Sequence, residues 1–165
     1  MVSFKLPSFA GVRLAPNADI IVTGKASAAM ANGDVVESID DGLTWTKADT
    51  PTLSDTVQDV SLKGVVVFDP VKGTTAFAVD DRVSVCIWGI ITCKAIGTAG
   101  IDEFELLQAG TAGDAGRVRV STYASIGTVT HDHIVRVLQS HVGLAMNAQN
   151  GAADTLVWVF VGMRA

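Results

Sequence analysis

Along this chain, apolar positions fall mainly in short runs of β-branched residues, each closed by Gly, Pro or Asp. The sharpest pattern is "RVRVSTYAS", where Val118 and Val120 point one way and Arg117 and Arg119 the other, the period-2 signature of a strand with one covered face. Further strands are predicted at "DIIVTG" (19–24), "VVESI" (35–39), "KGVVVFD" (63–69), "TTAFAVDD" (74–81), "RVSVCIWG" (82–89) and "IITCKAI" (90–96). A spacing of about eight to ten residues between turn signals is the rhythm of a β-sandwich or barrel. "HIVRVLQSHVGLAMN" reads as two strands or one bent strand. "TLVWVFVG" is apolar at every position, so it predicts a strand covered on both faces, by two layers of its own fold or by a core and a partner chain. Two stretches predict helix. "ASAAMANGD" fits one turn ending at Gly33, and "IDEFELLQAG" places Ile101, Phe104 and Leu107 at helical spacing before Gly110.

The segment Ser38–Trp45, "SIDDGLTW", matches S-x-D-x-G-x-T-W, the Asp box known from the blades of sialidases and related propellers. A propeller needs several blades of roughly 40 to 50 residues, which 165 residues do not hold, and the pattern occurs once. Its chemistry is that of a turn: Asp40 and Asp41 accept backbone N–H groups, Gly42 takes a positive φ, and Trp45 packs beneath the hairpin. It supplies no acid, base or nucleophile.

Composition narrows the function classes. Hydrophobic residues make up 48% and charged residues 18%, with a net charge of −5, and the pI is near 5.0. That composition is too apolar for disorder. The scattered basic residues disfavour nucleic acid, because phosphate neutralisation needs clustered Lys and Arg. No run has the apolar length of a membrane-spanning helix, and the first residues lack the apolar core of a secretory signal, so neither membrane insertion nor export is expected. A weakly charged, apolar surface suits burial against other protein chains.

Other candidate chemistry is sparse. "THDHIVRVLQSH" carries all three histidines. His131 and His133 share a strand face, but His141 is too far along a straight strand to complete a metal site, so no metal is expected. Cys86 and Cys93 lie seven residues apart, on opposite faces of an unbroken strand; a bulge or turn at Gly89 would restore a shared face. They read as buried free thiols, with a disulfide across that turn as the alternative. There is no G-x-S-x-G elbow, "GTAGDAGR" lacks the Lys-Ser/Thr of a P-loop, and Tyr123 reads as a packing residue. Trp45, Trp88 and Trp158 are expected in the core, although they would be the stacking platforms of a sugar-binding module. Neither an enzymatic activity nor a cofactor is expected.

Several pieces together resemble a known family. "MANGDVVES" with "xGD-V" at Gly33–Val35, "G-V" at Gly64–Val65, the strand pair Val83–Ile91, and "VG-x-A" at Val142–Ala145 followed by Thr155–Val161 look like the small all-β head-decoration, or cement, proteins of tailed bacteriophages. The grammar spans most of Asn32 to Val161. The resemblance implies an all-β fold, a compact β-barrel or β-sandwich (jelly-roll-like or β-tulip-like) with at most one short helix. It also implies a virion protein on the outer capsid surface that bridges neighbouring major capsid protein subunits, as a homo-oligomer (trimer or dimer). The expected organisation is an extended N-terminal arm over residues 1–18 and a single β domain over 19–165. The arm is apolar and proline-punctuated, and Phe4, Leu6, Phe9 and Leu14 are its candidate capsid-binding residues. The alternative is a non-catalytic carbohydrate-binding or receptor-binding β module on a virion or cell surface.

Overall fold

A computed structural model describes residues 6–14, 18–38, 40, 42–49, 61–96, 100–121, 141–149 and 155–162. Among these, the regular structure is β1 (Ile20–Ala26), β2 (Val35–Ser38), β3 (Thr44–Lys47), β4 (Leu62–Val66), β5 (Arg82–Lys94), β6 (Leu106–Ala109), β7 (Val118–Val120), β8 (His141–Ala145) and β9 (Leu156–Val161). A 3-10 turn at Ala112–Asp114 is the only helical element among the described residues. The fold is all-β, and it is a barrel.

The barrel closes through β5. Its five strands run β1-β3-β2-β4-β5, and β5 returns to β1 in an antiparallel ladder from Ile20↔Trp88 to Lys25↔Arg82. The β1–β3 pair is parallel and the others are antiparallel. The second half of β5, from Gly89, carries a further group of strands in the order β5-β9-β8-β6-β7. That group curls back on itself: Ala95 bridges Val118 in parallel, and the Ile96 N–H donates to the Val118 carbonyl at 2.8 Å. One strand is therefore a wall of both groups.

Two hydrophobic clusters fill the interior, and β2 and β4 stand between them. Val36 and Val66 join Met30, Trp45, Phe77, Val83 and Val85 in one cluster. Their neighbours Val35 and Val65 join Cys86, Ile91, Leu107, Val157 and Val159 in the other. Consecutive valines are the sequence form of a strand buried on both faces. In β9, Val157, Val159 and Val161 fill the second cluster while Trp158 and Phe160 alternate to the opposite face.

Five predicted elements differ. The strands predicted on either side of Gly89 are one strand of 13 residues. The ladder to β1 slips between Ile20 and Ile21, which face Trp88 and Cys86 and leave Ile87 as the extra residue of a bulge. That slip, with Gly89 at φ 135, changes the phase of β5, so Cys86 and Cys93 reach the same cluster despite their odd spacing. Both are free thiols.

"IDEFELLQAG" is a turn followed by β6. The Asp102 N–H donates to Glu105 Oε2 at 2.7 Å, Phe104 sits at φ 69, and pairing with β7 and β8 outweighs the local helical spacing. "TTAFAVDD" contributes one bridge, Met30↔Phe77. Asp81 holds the rest as a turn by accepting the Ala78 N–H and the Lys72 ammonium, and the Lys72 bond foremost lowers its pKa. "ASAAMANGD" makes no helical turn; Met30 is extended in that bridge, and Gly33 at φ 76 turns the chain.

Candidate functional site

The N-terminal segment is fastened to the barrel by its backbone. The Gly11 N–H donates to the Thr92 carbonyl at 2.7 Å, the Thr92 N–H to Val12 at 3.0 Å, and the Leu14 N–H to Ile90 at 2.9 Å. These bonds extend the sheet along the second half of β5, on the edge opposite β9, with Arg13 bridging Ile91. Thr92 is fully buried, and its hydroxyl accepts the Val12 N–H at 3.0 Å while reaching the Phe9 carbonyl at 3.2 Å. On the other side, the Phe68 N–H donates to the Gly11 carbonyl at 2.8 Å. Only glycine fits there: Gly11 has φ 78, and a Cβ would lie 2.5 Å from the Val66 carbonyl oxygen.

The side chains of this segment remain available. Leu6 is 37% exposed, Phe9 50% and Leu14 38%. Phe9 stacks on Phe68 at 5.0 Å between ring centroids and leaves half its surface open. Of the four candidate capsid-binding residues, Phe9 and Leu14 lie along the bound strip, Leu6 precedes it, and Phe4 lies outside the described residues.

The Asp-box hairpin is closed on its own bonds. Asp40 Oδ1 accepts from the Ser38 hydroxyl at 2.6 Å and the Thr44 N–H at 2.8 Å, and Oδ2 accepts from the Thr44 hydroxyl at 2.6 Å. These bonds, the one from Ser38 first, hold its pKa at about 2. Gly42 takes φ 90 under Val22, and Trp45 is fully buried. The motif builds a turn, as its chemistry predicts; Asp41 lies outside the described residues.

His131, His133 and Tyr123 lie outside the described residues. His141 begins β8 with Nε2 at 3.3 Å from the Ser121 hydroxyl, and burial lowers its pKa. Among the described residues, no three His, Cys, Asp or Glu side chains gather as a metal site. Burial pushes the Cys86 thiol up to about 11, with the Asp19 charge adding to it, and burial raises Cys93 as well.

One feature escaped the sequence. Trp45 and Trp158 are buried, as expected, but Trp88 is 43% exposed and packs edge-on against Phe160 at 5.1 Å. The register Ile90↔Phe160↔Leu144↔Leu106 sets four half-buried apolar side chains in a row across the outer face of β5, β9, β8 and β6. Ile20, 54% exposed, faces Trp88 at its end. The all-apolar "TLVWVFVG" was the available signal.

No family model matches the chain, and no curated protein matches it. Among solved structures, it is similar to a chain in the capsid of Myoviridae Phage XM1, with a TM-score of 0.61 and 14% identity over 97% of this chain and 92% of that one. A second similarity is to the head fiber gp8.5 N base of bacteriophage phi29, with a TM-score of 0.44 and 15% identity over 87% and 93%. The first likeness is one of fold.

Proposed function

We propose that this chain is a non-enzymatic structural protein of a bacteriophage virion, bound to the outer surface of the capsid, where it cements neighbouring major capsid protein subunits. The observation that carries this reading is the fold shared along nearly the whole of both chains with a chain of the XM1 capsid. The segment bearing Leu6, Phe9 and Leu14 supports it by offering exposed apolar side chains, those of Phe9 and Leu14 on a backbone already fastened to β5, which lowers the ordering cost of docking. The outward apolar row ending at Trp88 supports self-association into a trimer or dimer. The high thiol pKa values speak against a cysteine nucleophile.

The test is to add purified protein to undecorated, expanded heads. Binding should raise the temperature at which they rupture, because a ligand that prefers the intact shell stabilises it by mass action. Phe9→Ala with Leu14→Ala should lose most of that gain while the free protein still melts cooperatively. Equal rupture temperatures for bare and decorated heads would sink the proposal. A second reading, a carbohydrate- or receptor-binding β module, is favoured by the half-exposed Trp88. A glycan array with wild type and Trp88→Ala separates the two.

A further inference from the structure

One surface of the molecule runs against its overall charge. The chain has 12 basic residues against 17 acidic ones, yet a cavity of about 400 Å³ is lined by Lys47, Lys94 and Arg117 around Asp34. The Asp34 side chain is 5% exposed; Lys47 Nζ lies 3.3 Å from Oδ2 and Lys94 Nζ 3.2 Å from Oδ1. The Ala31 N–H also donates to Oδ2, at 2.9 Å. Gly116, at φ 86, lets the 3-10 loop close against Lys47 and Asp34, where a Cβ would crowd both. Arg117 pairs with Asp114 at 3.2 Å.

One buried carboxylate therefore holds two ammonium groups. Each ammonium has three donors, and among the described residues Asp34 is the only partner of either. Donors remain, and the two lysine side chains are 37% and 28% exposed. Beside this cavity lies a second of about 290 Å³, lined by Phe9, Phe68, Asn32 and Leu156 and sharing Ala31 and Lys94 with the first. A mainly apolar hollow and a cationic one meet at the same lysine.

We propose that the two cavities form one docking groove for an extended segment of another protein that carries an apolar side chain and, two residues on, a carboxylate. In an extended chain, residues two apart share a face and stand roughly 6.6 Å apart, so both side chains enter the groove together. The apolar one packs against the stacked pair Phe9–Phe68 and against Leu156. The carboxylate takes the spare donors of Lys47 and Lys94 as charge-assisted bonds. Asp34 keeps the two ammonium groups gathered before the partner arrives, which removes an ordering cost from binding. A free inorganic anion fits only half of the groove, and three cations on an acidic chain are too few to track nucleic acid. The groove is built from this chain alone and goes beyond the capsid reading.

The experiment titrates isotope-labelled protein with the capped tripeptide acetyl-Leu-Thr-Glu-amide, its Gln counterpart, and inorganic phosphate, following the amides of Ala31, Gly73 and Gly113 by NMR. The Glu peptide is expected to shift these amides with a dissociation constant on the order of millimolar, the Gln peptide and phosphate at least about tenfold more weakly. Lys94→Gln should abolish the difference between the two peptides. Because that variant disturbs the Asp34 cluster, Thr74→Trp serves as the second: it fills the rim of the apolar cavity at an exposed position. It should weaken the Glu peptide about tenfold with an unchanged melting temperature. Equal binding of the two peptides, phosphate binding as tightly as the Glu peptide, or no shift at about 10 mM peptide would overturn the proposal. Shifts of the same amides with protein concentration alone would put a second copy in the groove and overturn the assignment to a different protein. None of these outcomes bears on whether heads are stabilised.

Discussion

Deleting residues 1–16 tests whether the N-terminal segment is a detachable arm or a working edge of the barrel. The cut removes four backbone bonds: Gly11 to Thr92, Thr92 to Val12, Leu14 to Ile90, and Phe68 to Gly11. At a net contribution of about 0.5 to 1.5 kcal/mol each, their sum is roughly 2 to 6 kcal/mol. A domain of this size has about 5 to 15 kcal/mol in total, so the truncated protein should fold and melt cooperatively, but earlier. With each kcal/mol worth roughly 2 to 4 °C, the midpoint should fall by roughly 5 to 20 °C. Circular dichroism melts of the full chain, the 1–16 deletion and a 1–8 deletion make the comparison, since the shorter cut keeps all four bonds. If the long deletion melts within about 2 °C of the full chain, the pairing along β5 contributes little and the reasoning is refuted. If it does not fold, the proposed boundary at residue 18 is wrong.

Asp40 gives a pH dependence with a definite sign. Its folded pKa of about 2 lies below the ordinary 3.8, so its contribution is complete above about pH 5 and is lost as pH falls through 4 towards 2; urea midpoints across that range should lose part of their slope in Asp40→Asn. Cys86 and Cys93 should resist iodoacetamide in the native protein at pH 8 and react once urea unfolds it, as read by mass spectrometry, because burial keeps both thiols protonated. Gly11→Ala should cost more than about 1 kcal/mol in the same urea melts, since the added Cβ meets the Val66 carbonyl at a positive φ.

What could be foreseen followed the range of the forces involved. The Arg-Val alternation of 117–120 and the valine doublets of β2 and β4 record burial residue by residue, and these strands lie where that pattern puts them. The Asp-box turn is likewise local, with every bond to Asp40 among the described residues coming from within four residues. The continuity of β5 was hidden because Gly89 signals a break, and only the ladder to β9, which begins at Gly89↔Val161 where the ladder to β1 stops, shows why the strand passes through it. β6 was hidden for a related reason: Ile101, Phe104 and Leu107 have helical spacing, while the ladders that decide the matter come from β7 and β8. Neither the strip along β5 nor the Asp34–Lys47–Lys94 cluster was visible, because each joins residues from distant parts of the chain. Phe4, His131 and His133 lie outside the described residues.

The clasp between Val12 and Thr92 spans 80 positions, and that separation sets an order of events during synthesis. Residues 9–14 leave the ribosome well before the strand that receives them. At about 5 to 20 residues per second the wait is roughly 4 to 16 s, long compared with the microseconds in which hairpins form. The β2–β3 hairpin can close during that interval, whereas the barrel cannot shut until β5 emerges to meet both β1 and the waiting segment. For those seconds Phe9 and its neighbours are an unpaired apolar strand on a nascent chain, the kind of segment that chaperones hold. Slowing translation just before Arg82 should therefore lower the soluble yield more than an equal pause after Val161.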